Sequence, residues 1–152
     1  MRTRRTFKNA LFVVTEGQTD AVILSSVLDI TGFDKCFYRP ANGLHHIVNV
    51  TNTLRMMALP CDKILVVFDS DSLVPEIIAE KIESIKRQTN ADISPVQIGV
   101  FSMTPDIESV LFGFGKRELI AKYGDWRYAI SENEDNIKSK QIIKDIQCFI
   151  SK

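Results

Sequence analysis

Long apolar runs are missing from this sequence. Nothing in its 152 residues approaches the roughly 18 consecutive apolar residues of a membrane span, so no association with a membrane is expected. Cysteine is scarce: Cys36, Cys61 and Cys148 are odd in number, far apart and in apolar company. That argues against a disulfide framework and a cysteine-based zinc site, and each is expected to be a small buried thiol. The only histidines, His45 and His46, are neighbours. Adjacent residues point in different directions on a helix, so they do not make a shared zinc site. Net charge is absent too, with 19 basic and 19 acidic residues, which argues against indiscriminate polyanion binding but allows a local basic patch. Arg2, Arg4, Arg5 and Lys8 form one such cluster, readable either as a solvated tail or as a nucleic-acid contact. The apolar residues 11–14 beyond it are too few for a secretory signal, and Glu16 and Asp20 come at once, so a cytoplasmic protein is expected.

What remains is ordinary in bulk, with 45% hydrophobic and 25% charged residues, and its length suits one domain spanning 1–152 with a real core. The organising stretch is Ile64-Leu65-Val66-Val67-Phe68-Asp69-Ser70-Asp71. Its unbroken apolar run reads as a strand buried on both faces, as in a parallel sheet. Residues 10–15 (ALFVVT) read as an earlier strand, followed by a helix over 21–30 with Thr19 as N-cap and Asp20 in its first turn. Residues 35–39 form a short strand and 44–59 a helix ended by Pro60. Pro75 opens a helix reaching about Thr89, and 96–101 is a fourth strand interrupted by Gly99. Beyond it come short helices at 106–112 and 116–123, a polar connector at 131–136, and one amphipathic helix over 137–150 with Ile142, Ile146, Phe149 and Ile150 on one face. Strands alternating with helices imply an α/β fold. A mainly parallel four-stranded sheet would carry helices on both faces, the core running over about 9–112 with a helical extension at 113–152.

Three groups of acids fall just past predicted strand ends. Glu16 and Asp20 come after the first strand, Asp69 and Asp71 after the third, Asp106 and Glu108 after the fourth. In extended geometry Asp69 and Asp71 would point to the same side. A parallel sheet brings such ends together at the crevice where ligands bind. Converging carboxylates repel unless a cation lies between them, and all-oxygen ligands suit Mg²⁺ or Mn²⁺ rather than zinc. For any one of these acids a helix cap or a solvated loop is as good an explanation. Lys116, Arg117, Lys138 and Lys140 are candidates for positive charge near a phosphate, and His45 or His46 could touch one. Trp126 and Tyr128 are expected in the core or on a partner surface.

The set strand–Glu16-Gly17-Gln18-Thr19-Asp20–helix, then strand–Asp69-Ser70-Asp71, resembles the Toprim domain found in topoisomerases, primases, small ribonucleases and OLD-family nucleases. The run Pro105-Asp106-Ile107-Glu108-Ser109-Val110-Leu111-Phe112 is most similar to the OLD-type branch. The resemblance implies a compact Toprim or Rossmann-like fold and metal-dependent cleavage of DNA or RNA phosphodiesters. It implies Glu16 as general acid/base or metal ligand, Asp69 and Asp71 as the metal pair, Asp20 and Glu108 as further ligands, and Lys140 or Lys138 as a transition-state cation. It also implies a second metal and a role in phage defence or repair. OLD-type chains carry a fused ATPase, whereas no Gly-x-x-x-x-Gly-Lys-Ser/Thr occurs here. Either a separate ATPase partner or action without one, as a single chain or a homo-oligomer, would be implied. No tyrosine is placed for topoisomerase chemistry.

Two other readings stand beside it. A Toprim-like module could bind nucleic acid or a partner protein without turnover. In a haloacid-dehalogenase-like phosphatase, Asp69 would be the nucleophile and Asp71 the acid/base; that motif, however, normally opens its domain. Nucleotide-sugar transferases also use Asp-x-Asp but are usually larger.

Overall fold

A computed structural model describes residues 10–33, 36–58 and 62–152. Arg2, Arg4, Arg5, Lys8, Pro60 and Cys61 lie outside them. The described chain runs β1 (Leu11–Thr15), α1 (Gln18–Ile30), β2 (Cys36–Pro40), a 3₁₀ turn (Leu44–His46) leading into α2 (Ile47–Met57), β3 (Lys63–Asp69), α3 (Pro75–Gln88) and β4 (Gln97–Met103). Five further helices complete it: α4 (Ile107–Phe112), α5 (Lys116–Tyr123), α6 (Trp126–Glu132), α7 (Glu134–Ser139) and α8 (Gln141–Ser151).

The four strands form an all-parallel, Rossmann-like sheet in the order β2-β1-β3-β4. Side chains alternate across it. Leu11, Val13, Leu65, Val67 and Met103 enter one core; Val14, Ile64, Val66, Phe68 and Val100 enter the other. This two-faced burial is why the β3 run is continuously apolar. The crossover from β1 to β2 moves one way across the sheet, and those from β2 to β3 and β3 to β4 move the other way. Right-handed connections therefore put α1 on one face and α2 with α3 on the opposite face. The packing agrees: Ile23, Leu24, Val27 and Leu28 of α1 join Val13 and Leu65, while Ile47, Leu54 and Ile85 join Val14 and Val66.

That winding leaves the α1 face bare over β3 and β4. The C-terminal helices cover it, with Ile107 and Leu111 of α4 and Ile143, Ile146 and Phe149 of α8 packed on Leu65, Val67 and Met103. Lys63 Nζ, at the start of β3, donates to the Phe149, Ile150 and Lys152 carbonyls at 2.8 Å each. It thereby satisfies the open C-terminal end of α8. Gly99 does not interrupt β4. A Cβ there would lie 2.9 Å from both the Phe101 and Phe149 rings, so the glycine makes room for α8. Gly99→Ala is expected to lower stability by about 1–3 kcal/mol through overpacking, read as a drop in denaturant midpoint at unchanged slope.

Several local expectations are corrected. The N-cap of α1 is Gly17, with Thr19 already in the first turn. Asp106 caps α4 from outside it. The stretch 131–136 is mostly helical, in α6 and α7, and the expected terminal helix is broken at Lys140, whose ψ of 136° is extended. Cys148 is exposed and Cys36 half-buried, neither a sealed core thiol. Trp126 packs against the core and Tyr128 is exposed. Among the described residues no helix is long and apolar enough to cross a membrane.

Candidate active site

The strand order fixes where a site can form. β1 and β3 are neighbours, but the chain leaves β1 in one direction and β3 in the other, making a switch point where a crevice opens at the carboxyl ends. Register then sets the heights of the side chains. Thr15 lies opposite Val67, and Asp69 opposite Met103. Glu16 therefore emerges level with the end of β3, and Glu16 Oε1 accepts the Asp69 amide at 2.9 Å. On the other side Asp69 Oδ1 accepts the Ile107 amide, at the start of α4, at 3.0 Å. Asp69 thus ties the loop after β1 to the first residue of α4.

The remaining acids close around it. Asp20 stands at the third position of α1, its carboxylate close to the Gly17 N-cap and in the first turn, where the helix dipole favours negative charge. Asp106 Oδ1 accepts the Ser109 amide at 2.8 Å as the N-cap of α4. Glu108 lies in the first turn of that helix, two residues from Asp106. Asp71 departs from expectation: its φ is 52°, so the alternation that would align it with Asp69 is lost. Aspartate is among the few residues that tolerate this left-handed backbone. Here it is held by the Asp71 amide donating to the Pro105 carbonyl at 2.9 Å. Asp71 is exposed and acts on Glu16 and Asp20 through its charge.

The electrostatics show that these carboxyls share one place. Asp69 is pushed up to about 8, first by burial and then by the charges of Asp20, Glu108 and Glu16. Burial, then Asp71 and Asp20, raises Glu16 against the opposing Asp69 amide and Lys81. Asp20 and Glu108 also sit above their ordinary values, burial again being the largest cause and Asp106 the leading charge on each. Mutual repulsion of this kind marks a place where a cation would be favoured.

Glu16, Asp20, Asp69, Asp71 and Glu108 are the residues that could hold one, and their all-oxygen donors suit a hard divalent ion. Among the described residues no three acids, histidines or cysteines are packed as a ready-made ligand shell. Glu16, Asp69 and Asp106 each place one carboxylate oxygen on a backbone amide. Mg²⁺ commonly takes only one or two carboxylates and completes its shell with water and phosphate oxygens.

The cations are arranged differently from the sequence expectation. Lys116 acts on Asp20. α8 runs with its last turn at the start of β3, so Lys140, at its other end, lies toward the carboxyl edge. Even so, among the described residues no hydrogen bond joins the Lys140 or Lys138 side chain to the cluster. Arg117, His45 and His46 are exposed. Sequence reasoning passes over Lys81, whose Nζ donates to the Ser70 carbonyl, between the two aspartates, at 2.6 Å. The available signal is its position: it falls in the inward stripe Ile78, Lys81, Ile82, Ile85 of α3. No family model, no curated protein and no solved structure matches this chain.

Proposed function

We propose that the chain is a Mg²⁺- or Mn²⁺-dependent nuclease of Toprim type, hydrolysing phosphodiester bonds of DNA or RNA. The observation that carries this reading is the convergence of half-buried, mutually repelling carboxylates from three strand ends at the switch point, with Asp69 at their centre and the exposed Asp71 at its edge. In this reading Glu16, Asp69 and Asp71 hold the ion, flanked by Asp20 and Glu108. A bound divalent ion would polarise the phosphoryl oxygen and lower the pKa of a coordinated water. Lys81 fixes the carbonyl between the aspartates, and Lys116 offers charge to the phosphate; Lys140 keeps the transition-state role implied by the resemblance. The OLD-type likeness of 105–112 supports a defence or repair component; a separate ATPase partner, a cytoplasmic setting and self-association belong to the same proposal.

The test is cleavage of single- and double-stranded DNA and RNA with Mg²⁺ or Mn²⁺. Activity should vanish in EDTA and in Asp69→Ala with folding intact. Glu16→Gln keeps an acceptor for the Asp69 amide, so it should fold and lose at least about 10²-fold in rate. Wild-type protein that binds no divalent ion and cuts none of these substrates favours the non-catalytic module. That second reading is supported by the backbone bonds of Glu16, Asp69 and Asp106, which give each acid a structural task. A phosphatase would use Asp69 as a free nucleophile, and a carboxylate tied to the Ile107 amide disfavours it.

A further inference from the structure

On the opposite face of the sheet from α1, a cleft of about 300 Å³ opens between the start of α2 and the inward side of α3. Leu44, Val48 and Ile85 give it an apolar floor. Its polar lining is His45, Asn49, Lys81, Ser84 and Gln88, with no carboxylate among them. In a chain with as many acids as bases, an acid-free cleft against a carboxylate cluster is a separation of charge with a use. Lys81 joins the two: it lines the cleft while donating to the Ser70 carbonyl of the Asp69–Asp71 loop. An ammonium has three donors, so this bond leaves two more. A larger groove, about 490 Å³, runs along α1 and α6, but Asp29 and Glu134 line it with Arg127, and they would repel a phosphate.

We propose that the α2–α3 cleft is a nucleotide subsite: Lys81 and His45 take a backbone phosphate, Asn49, Ser84 and Gln88 offer polar contacts, and a base or sugar lies on Leu44, Val48 and Ile85. Its volume is at the lower end of ligand-sized clefts, fitting one nucleotide rather than a long segment. The strand would thereby be anchored beside the carboxylates, the phosphate contact setting position without reading sequence. This rests on the nucleic-acid reading of the cluster and adds to it where the neighbouring nucleotide goes.

The experiment titrates the full ¹⁵N-labelled chain, without metal, with the 5′-phosphorylated dinucleotides pdTpdT and pUpU. Saturable shifts are expected at the amides of His45, Asn49, Ser84 and Gln88. His45→Glu adds like charge at an exposed position and should weaken dinucleotide binding about tenfold or more without loss of folding. Lys81→Gln should do the same, and inorganic phosphate should compete. The subsite is overturned if the dinucleotide moves no amide of α2 or α3, or if His45→Glu binds as tightly as wild type. A Mn²⁺ titration reads the cluster separately, and His45→Glu should leave it unchanged. Dinucleotide binding in the cleft with no Mn²⁺ binding overturns the metal reading and leaves the subsite standing; Mn²⁺ binding and cleavage with an indifferent cleft does the reverse.

Discussion

Asp69→Asn is expected to abolish metal-dependent cleavage, by roughly 10³-fold or more, and at the same time to raise the thermal midpoint of the metal-free protein at pH 8. The first effect stems from the loss of the central anionic ligand. Three decades of rate correspond to about 4 kcal/mol, within the several kcal/mol that a correctly held metal supplies. The second effect is one of linkage. The ordinary value for this carboxyl is 3.8 and the folded protein holds it at about 8. Below 3.8 it is protonated in folded and unfolded chains alike and costs nothing. Between these values only the folded chain keeps the proton, so stability falls with every step up in pH, until the loss is complete above about 8. Glu16, Asp20 and Glu108 are displaced in the same direction and add to the trend. Metal-free wild type should therefore melt progressively lower as pH rises from about 5 to 8, and Asp69→Asn should show a flatter profile. Asparagine keeps an oxygen for the Ile107 amide, so the fold is retained. Calorimetry with EDTA across that range is the check, and Mn²⁺ should stabilise the wild type by about 2.7 kcal/mol at a hundred times its Kd.

Phe149→Ala should cost about 3–5 kcal/mol, the ordinary range for truncating a buried phenylalanine, and removal of 141–152 should leave a chain that does not fold cooperatively. The winding of the sheet leaves β3 and β4 uncovered on the α1 face, and α8 fills that place. Phe149 is its anchor: its ring meets Phe101 edge-on at 5.9 Å, and Lys63 Nζ lies 5.6 Å from its centroid. The loss is a large part of the roughly 5–15 kcal/mol a domain has in total. A fall of about 10 °C in thermal midpoint corresponds. The two predictions at this spot are coupled. In the Phe149→Ala background the added methyl of Gly99→Ala no longer meets that ring, so the double variant should be more stable than the sum of the singles implies.

The strands were legible because burial on both faces leaves a plain trace, as in Ile64 to Phe68, and the acids were legible because they end those strands. Chain order alone gave the parallel architecture. Three features were hidden. Asp71 takes a left-handed backbone with its amide held by the Pro105 carbonyl, a contact between distant segments. The break at Lys140 carries no glycine or proline, and Ile137, Ile143 and Ile146 are buried on both sides of it, so the apolar spacing runs through it. The place of Lys81 in the inward stripe of α3 hints at a partner, but that partner is a backbone carbonyl from another element, which no spacing identifies. Asp106 is an acid whose capping role sequence spacing allows; only the Ser109 bond separates that role from ligation.

Everything proposed for the carboxylate cluster depends on Glu16, Asp69 and Asp71 holding a divalent ion at the β1–β3 switch point. Anomalous diffraction from a Mn²⁺-soaked crystal would locate that ion. The expected result is a peak coordinated by Asp69 together with Glu16 or Asp71, and none in an Asp69→Asn crystal soaked in the same way. A protein that cleaves nucleic acid with Mn²⁺ while its only peak lies away from these three carboxylates would contradict the assignment.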